Sequence, residues 1–319
     1  MRRLNDDTGA VGVFVAITIA VLLGLVGLTI DVGAMYRERR ELQNGADAAA
    51  LAIAEECALG TALCNTAAAD PTAQTYAAGN ASDGYAAVEA LQINHGQHTV
   101  TIQTGTLNAD GTTLLDPFFA EVVGFDGATV HAKAIAQWGN PASLIGLPLI
   151  ISMCEFPGAA QLPSPEQILF FHDGNNAEQC NAQAGQDADG DGFLAGGFGW
   201  LSGDGDCDAF MEWGGWHSAD PGSSPTIGCD PAVLADVVGQ SVPLPIFDDL
   251  IGVGSGGDYH LAGFAMFHIT GFNFGGQFKA NPPCSGDERC MSGYFTTGVV
   301  YDGEPGGPDH GIRIVKLIG

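Results

Sequence analysis

Between Ala10 and Ile30 the chain reads AVGVFVAITIAVLLGLVGLTI, with no charged residue and only Thr18 and Thr29 as polar side chains. At about 1.5 Å per residue a helix over this stretch spans ~31 Å, the thickness of the hydrocarbon core of a bilayer. The rival reading is a cleaved signal peptide, whose apolar region runs for about 7 to 15 residues and is closely followed by an A-x-A site. Here charged residues follow at once and the alanine-rich run begins only at Ala46. An uncleaved transmembrane anchor over about residues 10–30 is therefore expected. Gly12, Ala16, Ala20 and Gly24 recur at every fourth position. Such a stripe of small residues lets a second helix approach closely, although glycine and alanine are common in any spanning helix.

Beyond Asp31 the apolar spacing stays helical, with Val32, Met35, Leu42, Ala46, Ala49 and Ile53 three to four residues apart or in multiples of that step. The anchor is predicted to continue as an amphipathic stalk to about Glu56. Flanking charge leaves the orientation open, because Arg2 and Arg3 balance Arg37, Arg39 and Arg40. The cysteines decide it. All eight lie past the apolar stretch, and none forms the C-x-x-C pair that tetrahedral zinc sites favour. An even count in this arrangement points to an oxidising compartment, and so to a single-pass protein of the cell membrane with its bulk extracytoplasmic. Cys57 with Cys64 and Cys284 with Cys290 suit short local bridges. Cys154, Cys180, Cys207 and Cys229 allow three pairings, and buried free thiols are the plainer alternative.

The chain has 37 acidic and 10 basic residues, a formal charge of -27, and half of the basic residues fall in the first forty positions. The rest is a strongly acidic surface that repels phosphate backbones, which excludes nucleic acid as a partner. Residues 57–140 mix an alanine-rich helical part, Pro71 to Leu91, with strand-like alternation at Thr99 to Gln103 and Ala128 to Ala136. A short helix is predicted from Pro117 to Gly124. From Pro141 glycine, proline, aromatics and cysteine take over, and Pro148 to Met153, His260 to Phe267 and Gly311 to Leu317 read as strands. The expected fold class is α+β: an anchor and stalk helix over residues 1–56, a small α+β domain over 57–140, and a disulfide-rich irregular β domain over 141–319.

Residues 8 to 54 resemble the amino-terminal module of the TadE/TadG-like proteins of the Tad/Flp pilus system. The resemblance is carried by the apolar span followed by Asp31-Val32-Gly33, Tyr36, an arginine-rich turn, Leu42-Gln43-Asn44 and the run Ala46 to Ala52. It implies a place in the pilus-assembly set, a pilin-like module after the anchor, and other pilus-assembly membrane proteins or pilins as partners. Processed members of that system carry a glutamate five residues after a glycine cleavage site. Phe14 stands at that position after Gly9, which argues against prepilin-peptidase processing. Cys154-Glu155-Phe156-Pro157, Gly196 to Leu201 and Cys290 to Phe295 look like the carboxy-terminal region of actinobacterial TadG-like proteins.

For chemistry, the sharpest local signal is Asp187-Ala188-Asp189-Gly190-Asp191-Gly192, the first half of a calcium loop. The bidentate glutamate of such loops is replaced by Phe198. Asp204, Asp206 and Asp208 form a second alternating set close enough in sequence to complete a calcium site, and solvated acidic loops are the bland reading of both. The eight histidines, including His95, His98 and His172, show no metal or catalytic spacing, and a nucleophile elbow and a Walker loop are absent. Gly252 to Gly257 reads as a flexible turn. Trp200, Trp213, Trp216, Phe198 and Phe210 are predicted to pack in a core, with a sugar- or partner-binding aromatic face as the alternative. The leading functional reading is a non-catalytic structural or interaction protein of pilus assembly. A calcium-dependent surface adhesin on the same anchor is the second, and a secreted hydrolase the third.

Overall fold

The structure is a computed structural model and describes residues 8–172, 199–220, 222, 224–252 and 256–319. The chain divides into two compact units, Met1–Gln137 with Leu317–Gly319, and Trp138–Lys316. Its class is mixed α+β behind a long apolar helix.

In the first unit, helix α1 (Thr8–Ala58) is continuous over 51 residues. Its two halves meet different surroundings. From Val11 to Val26 every residue is exposed, while Leu42, Ala46, Ala49, Ala50, Ile53 and Ala54 are almost fully buried. The exposed half includes the apolar stretch, which is long and apolar enough to cross a membrane. The buried half packs on helix α2 (Thr66–Asn80), and the Cys57–Cys64 disulfide ties the end of α1 to the turn that precedes α2. Both contact faces are built of alanine. Ala69, Ala73 and Ala77, one turn apart, are buried on α2, and Gly45 of α1 lies so close to Ala77 that an added Cβ would sit 3.0 Å from the Ala77 Cα. Small side chains bring the two backbones together, and dispersion over that contact replaces the larger hydrophobic core that leucines would make.

Strands β1 (Ala87–Asn94), β2 (Thr99–Gly105) and β3 (His131–Gly139) follow as an antiparallel meander. The alternation predicted for β2 and β3 is present: Val100, Ile102 and Thr104 are buried, as are Ala132, Ala134 and Ala136. The buried face of β2 packs against α1, where the Thr104 hydroxyl donates to the Leu42 carbonyl at 3.0 Å.

The helix expected from Pro71 to Leu91 is displaced and cut short. Asn65 caps α2 upstream, its Oδ1 accepting from the Ala68 N–H at 2.9 Å, and the chain turns at Ser82-Asp83-Gly84, where Gly84 has φ +80°. The tail of the predicted helix is β1, tied back to α2 by the Gln74 side chain, which bonds Ala86 and Val88. β3 starts at His131, three residues later than predicted, because Val130 is held by Thr106 through both its N–H and its carbonyl.

The second unit is mostly β. Its strands are β4 (Pro141–Gly146), β5 (Ile151–Ser152), β6 (Gln167–His172), β7 (Ala209–Glu212), β8 (Trp216–Ser218), β9 (Ser241–Ile251) and β10 (Asp258–Asn273), with a short helix α3 (Pro231–Asp236) before β9. They continue as β11 (Lys279–Ala280), β12 (Arg289–Thr296), β13 (Gly298–Val300), β14 (Glu304–Pro305) and β15 (Ile312–Leu317). The main sheet runs β5-β9-β10-β12-β6 around the 16-residue β10. The core is aromatic. Trp200 and Phe171 both meet Phe274, at ring distances of 5.2 and 5.8 Å, and Phe267 meets Phe295 at 4.9 Å. Disulfides Cys207–Cys229 and Cys284–Cys290 staple its loops, and Cys154 is also disulfide-bonded, while Cys180 lies outside the described residues. Of the strand predicted at Pro148 to Met153 only Ile151 and Ser152 remain, since Ser152 caps a 3-10 turn, Met153–Glu155.

The alanine contact between α1 and α2 makes a sharp demand on volume. Ala73→Leu places three extra carbons where no space exists and is expected to cost about 1–3 kcal/mol. Thermal unfolding of the full chain in detergent, followed by circular dichroism, checks this. A melting temperature equal to that of the wild type would mean that the interface is looser than described.

Candidate functional site

The position where α1 passes from exposed to buried is marked by two residues one turn apart, Gly27 and Asp31. Each is buried while its neighbours are exposed, and Asp31 retains only 6% of its surface. Residues four apart lie on one helix face, so together they form a single seat. What sits in it is a loop roughly ninety residues away in sequence. The loop leaves β2, is pinched at its base by a Leu115–Ala128 bridge, and contains one 3-10 turn, Ala120–Val123. Gly127 closes the pinch at φ +117°, where a Cβ would lie 2.6 Å from the Leu115 oxygen.

The Asp31 carboxylate serves as that turn's missing cap. Its Oδ1 accepts from the Phe118 N–H at 2.7 Å and its Oδ2 from the Ala120 N–H at 2.7 Å, with the Phe119 N–H shared between the two oxygens at 3.3 and 3.1 Å. The residue at the turn's own cap position, Phe119, offers no side-chain hydrogen bond. A negative charge facing converging N–H groups satisfies donors that would otherwise be orphaned, and such charge-assisted bonds are about twice as strong as neutral ones. Below them the Phe119 side chain lies against Gly27, where any added Cβ would come within 2.8 Å of its Cβ and Cγ. Glycine is thus required by the ring that covers it. The small-residue stripe read from the sequence is uncovered at its glycines: Gly12 and Gly24 have nothing within 4 Å.

Beyond Asp31 an open groove of about 420 Å³ runs between α1 and the start of β3, lined by Val32, Met35, Tyr36, Arg39, Thr129 and His131 among others. At its edge His131 pairs with Glu89 at 2.9 Å. On the same stretch of α1, Glu38 has its carboxyl held above the usual range by partial burial, an effect opposed by a hydrogen bond with Thr106. The arrangement holds a loop to a helix.

The other residues singled out in the sequence lie elsewhere. Asp204 and Asp206 are exposed and Asp208 is half-buried, on a turn closed by the Asp204 N–H to the Asp208 carbonyl at 2.9 Å. Asp187, Asp189 and Asp191 lie outside the described residues. Among the described residues no three His, Cys, Asp or Glu side chains are grouped to hold a metal. The predicted aromatic core is only partly formed. Trp200 is buried, but Trp213, Trp216 and Phe210 are 47%, 45% and 55% exposed, and Phe198 is outside the described residues. For Phe210 the reason is strand alternation: in β7, Ala209 and Met211 point inward and Phe210 outward.

Sequence reasoning read Asp31 as part of a motif and residues 117–124 as a helix, without joining them. The available signal was a lone acid at the very end of an apolar span, together with paired phenylalanines in a loop flanked by acids.

Residues 9–55 match the Tad family model, described as Flp pilus-assembly TadE/G-like. The match lies entirely within α1 and contains both Gly27 and Asp31. No curated protein and no solved structure matches the chain.

Replacing Asp31 by Asn keeps the shape but removes the charge and aims an amide N–H₂ at N–H donors. Asp31→Asn is expected to lower stability by about 1–3 kcal/mol. Proteolytic cutting at the Phe118 to Phe125 loop should speed up in the same variant. Unchanged melting and unchanged cutting would refute the capping role.

Proposed function

We infer that this chain is a membrane-anchored, non-catalytic component of a Tad/Flp-type pilus assembly or secretion apparatus. Residues 10–30 cross the membrane once and the bulk of the chain is extracytoplasmic. One observation carries the reading. The Tad match falls on a helix whose first half exposes apolar side chains along its whole length and whose second half is the core of a folded unit. A helix apolar all round and exposed needs a lipid or protein environment, so its first half is built for the bilayer and its second half for the domain outside it. The disulfides support the extracytoplasmic side, since such bonds persist in oxidising compartments. Its partners are other membrane proteins of the assembly or pilins, reached through the exposed faces of the anchor and the stalk.

Deletion of the gene in the source cell, with complementation, tests the role. Loss of pili restored by the wild-type chain is the expected result. Intact pili with reduced, calcium-dependent adhesion would contradict it in favour of a tethered adhesin.

A further inference from the structure

The loop seated on Gly27 and Asp31 has a second property that anchoring alone does not require. Its outward face is apolar: Phe118 is 73% exposed, Phe119 48%, Val122 89% and Phe125 44%. Between Asp116 and Asp126 the only charged residue is Glu121. Such a cluster on a strongly acidic domain is out of place in water, where contiguous apolar surface marks an interaction site.

Its position identifies the occupant. Phe119 touches α1 at Gly27, three residues inside Ile30, the last residue of the apolar span, and so ~4–5 Å to the lipid side of that end. Asp31, which holds the loop's N–H groups, is the first charged residue past the span. Six of the loop's backbone N–H groups are also satisfied within the protein. The N–H groups of Phe118, Phe119 and Ala120 go to Asp31, that of Val122 to the Phe119 carbonyl, that of Gly124 to the Glu121 carbonyl and that of Phe125 to the Ala120 carbonyl. Irregular backbone tolerates a lipid boundary only when its polar groups are satisfied within the protein.

We propose that residues 117–125 form a membrane-dipping wedge, inserted among the lipids of the extracytoplasmic leaflet beside the anchor, with Phe118, Phe119, Val122 and Phe125 in the acyl boundary and Glu121 at headgroup level. The anchor and the wedge then grip the same leaflet at two points, which fixes the tilt and rotation of the domain on the membrane. Phenylalanines at this depth gain from leaving water, and a carboxylate in the loop limits it to the interface.

This proposal rests on the reading that α1 spans the membrane, and the test separates the two. The full chain carries single cysteines, Val122→Cys at the wedge tip, Leu22→Cys in the span and Tyr76→Cys on α2. All three sites are exposed, and no described native cysteine is free to compete for label. Each is labelled with an environment-sensitive fluorophore and reconstituted in phosphatidylcholine vesicles. Quenching is measured with nitroxide lipids labelled near the headgroup or near the bilayer centre, and with aqueous iodide. The expected result is that position 122 is quenched most by the shallow nitroxide and is shielded from iodide, position 22 is quenched by the deep nitroxide, and position 76 only by iodide. Position 122 open to iodide, with position 22 still quenched by lipid, overturns the wedge and leaves the anchor standing. Position 122 shielded from both quenchers means that a protein surface covers the loop and likewise overturns the proposal. Absence of lipid quenching at position 22 overturns the anchor and the wedge together.

Discussion

Three N–H groups converging on one carboxylate join the anchor to the first folded unit. A loop of nine residues has no core of its own, and its 3-10 turn has no cap from its own sequence. Without Asp31 the turn would leave its first donors unpaired beside an apolar helix, where water is poorly placed to replace them. With Asp31 the loop is locked to α1, the Phe119 ring is laid on Gly27, and the boundary between the exposed and buried halves of the helix becomes a defined point. The contact joins segments some ninety residues apart, so it also ties the end of the apolar span to the sheet that follows.

The rest of the first unit is consistent with a helix that must be held rigidly as it leaves the apolar span. The stalk is gripped by a second helix through alanine and glycine, by the sheet through the buried face of β2, and by the polar bridge from Thr104 to Leu42. Alanines offer little hydrophobic burial per residue but lose no side-chain entropy on packing. The cost of small side chains is a narrow tolerance for added volume. The Cys57–Cys64 bridge closes the hairpin at the far end, where the alanine contact ends.

Much of this was legible in the sequence. The uncharged run to Ile30, the three-to-four spacing after it and the alternation in Thr99 to Gln103 each report a local period, and helix or strand follows from period alone. The α+β class was readable in that way, while the TadE/G-like match of residues 9–55 was foreshadowed by a motif resemblance and not by period. What was not legible depends on contacts between distant residues. The alanine-rich segment after Pro71 carries helical propensity without an apolar face, so nothing in it announces that Ala87 onward is recruited as a sheet edge. The Asn65 cap lies outside the segment that looked helical. Trp213, Trp216 and Phe210 are large and apolar, and only their places in the segment from β7 to β8, Trp213 on its turn and the other two on its strands, leave them exposed. The partnership of Asp31 with Phe118 to Ala120 has no local signature at all, because the turn and its cap are separated by most of the first unit.

The claim that the loop is locked to the anchor by Asp31 is tested most directly by hydrogen exchange at individual amides of the full chain in membrane-mimetic nanodiscs. The account predicts that the Phe118, Phe119 and Ala120 amides exchange slowly in the wild type and lose that protection in Asp31→Ala, while the Ile102 and Ala134 amides of the sheet stay protected in both. Rapid exchange of the three amides in the wild type, or protection that survives removal of the carboxylate, would contradict it.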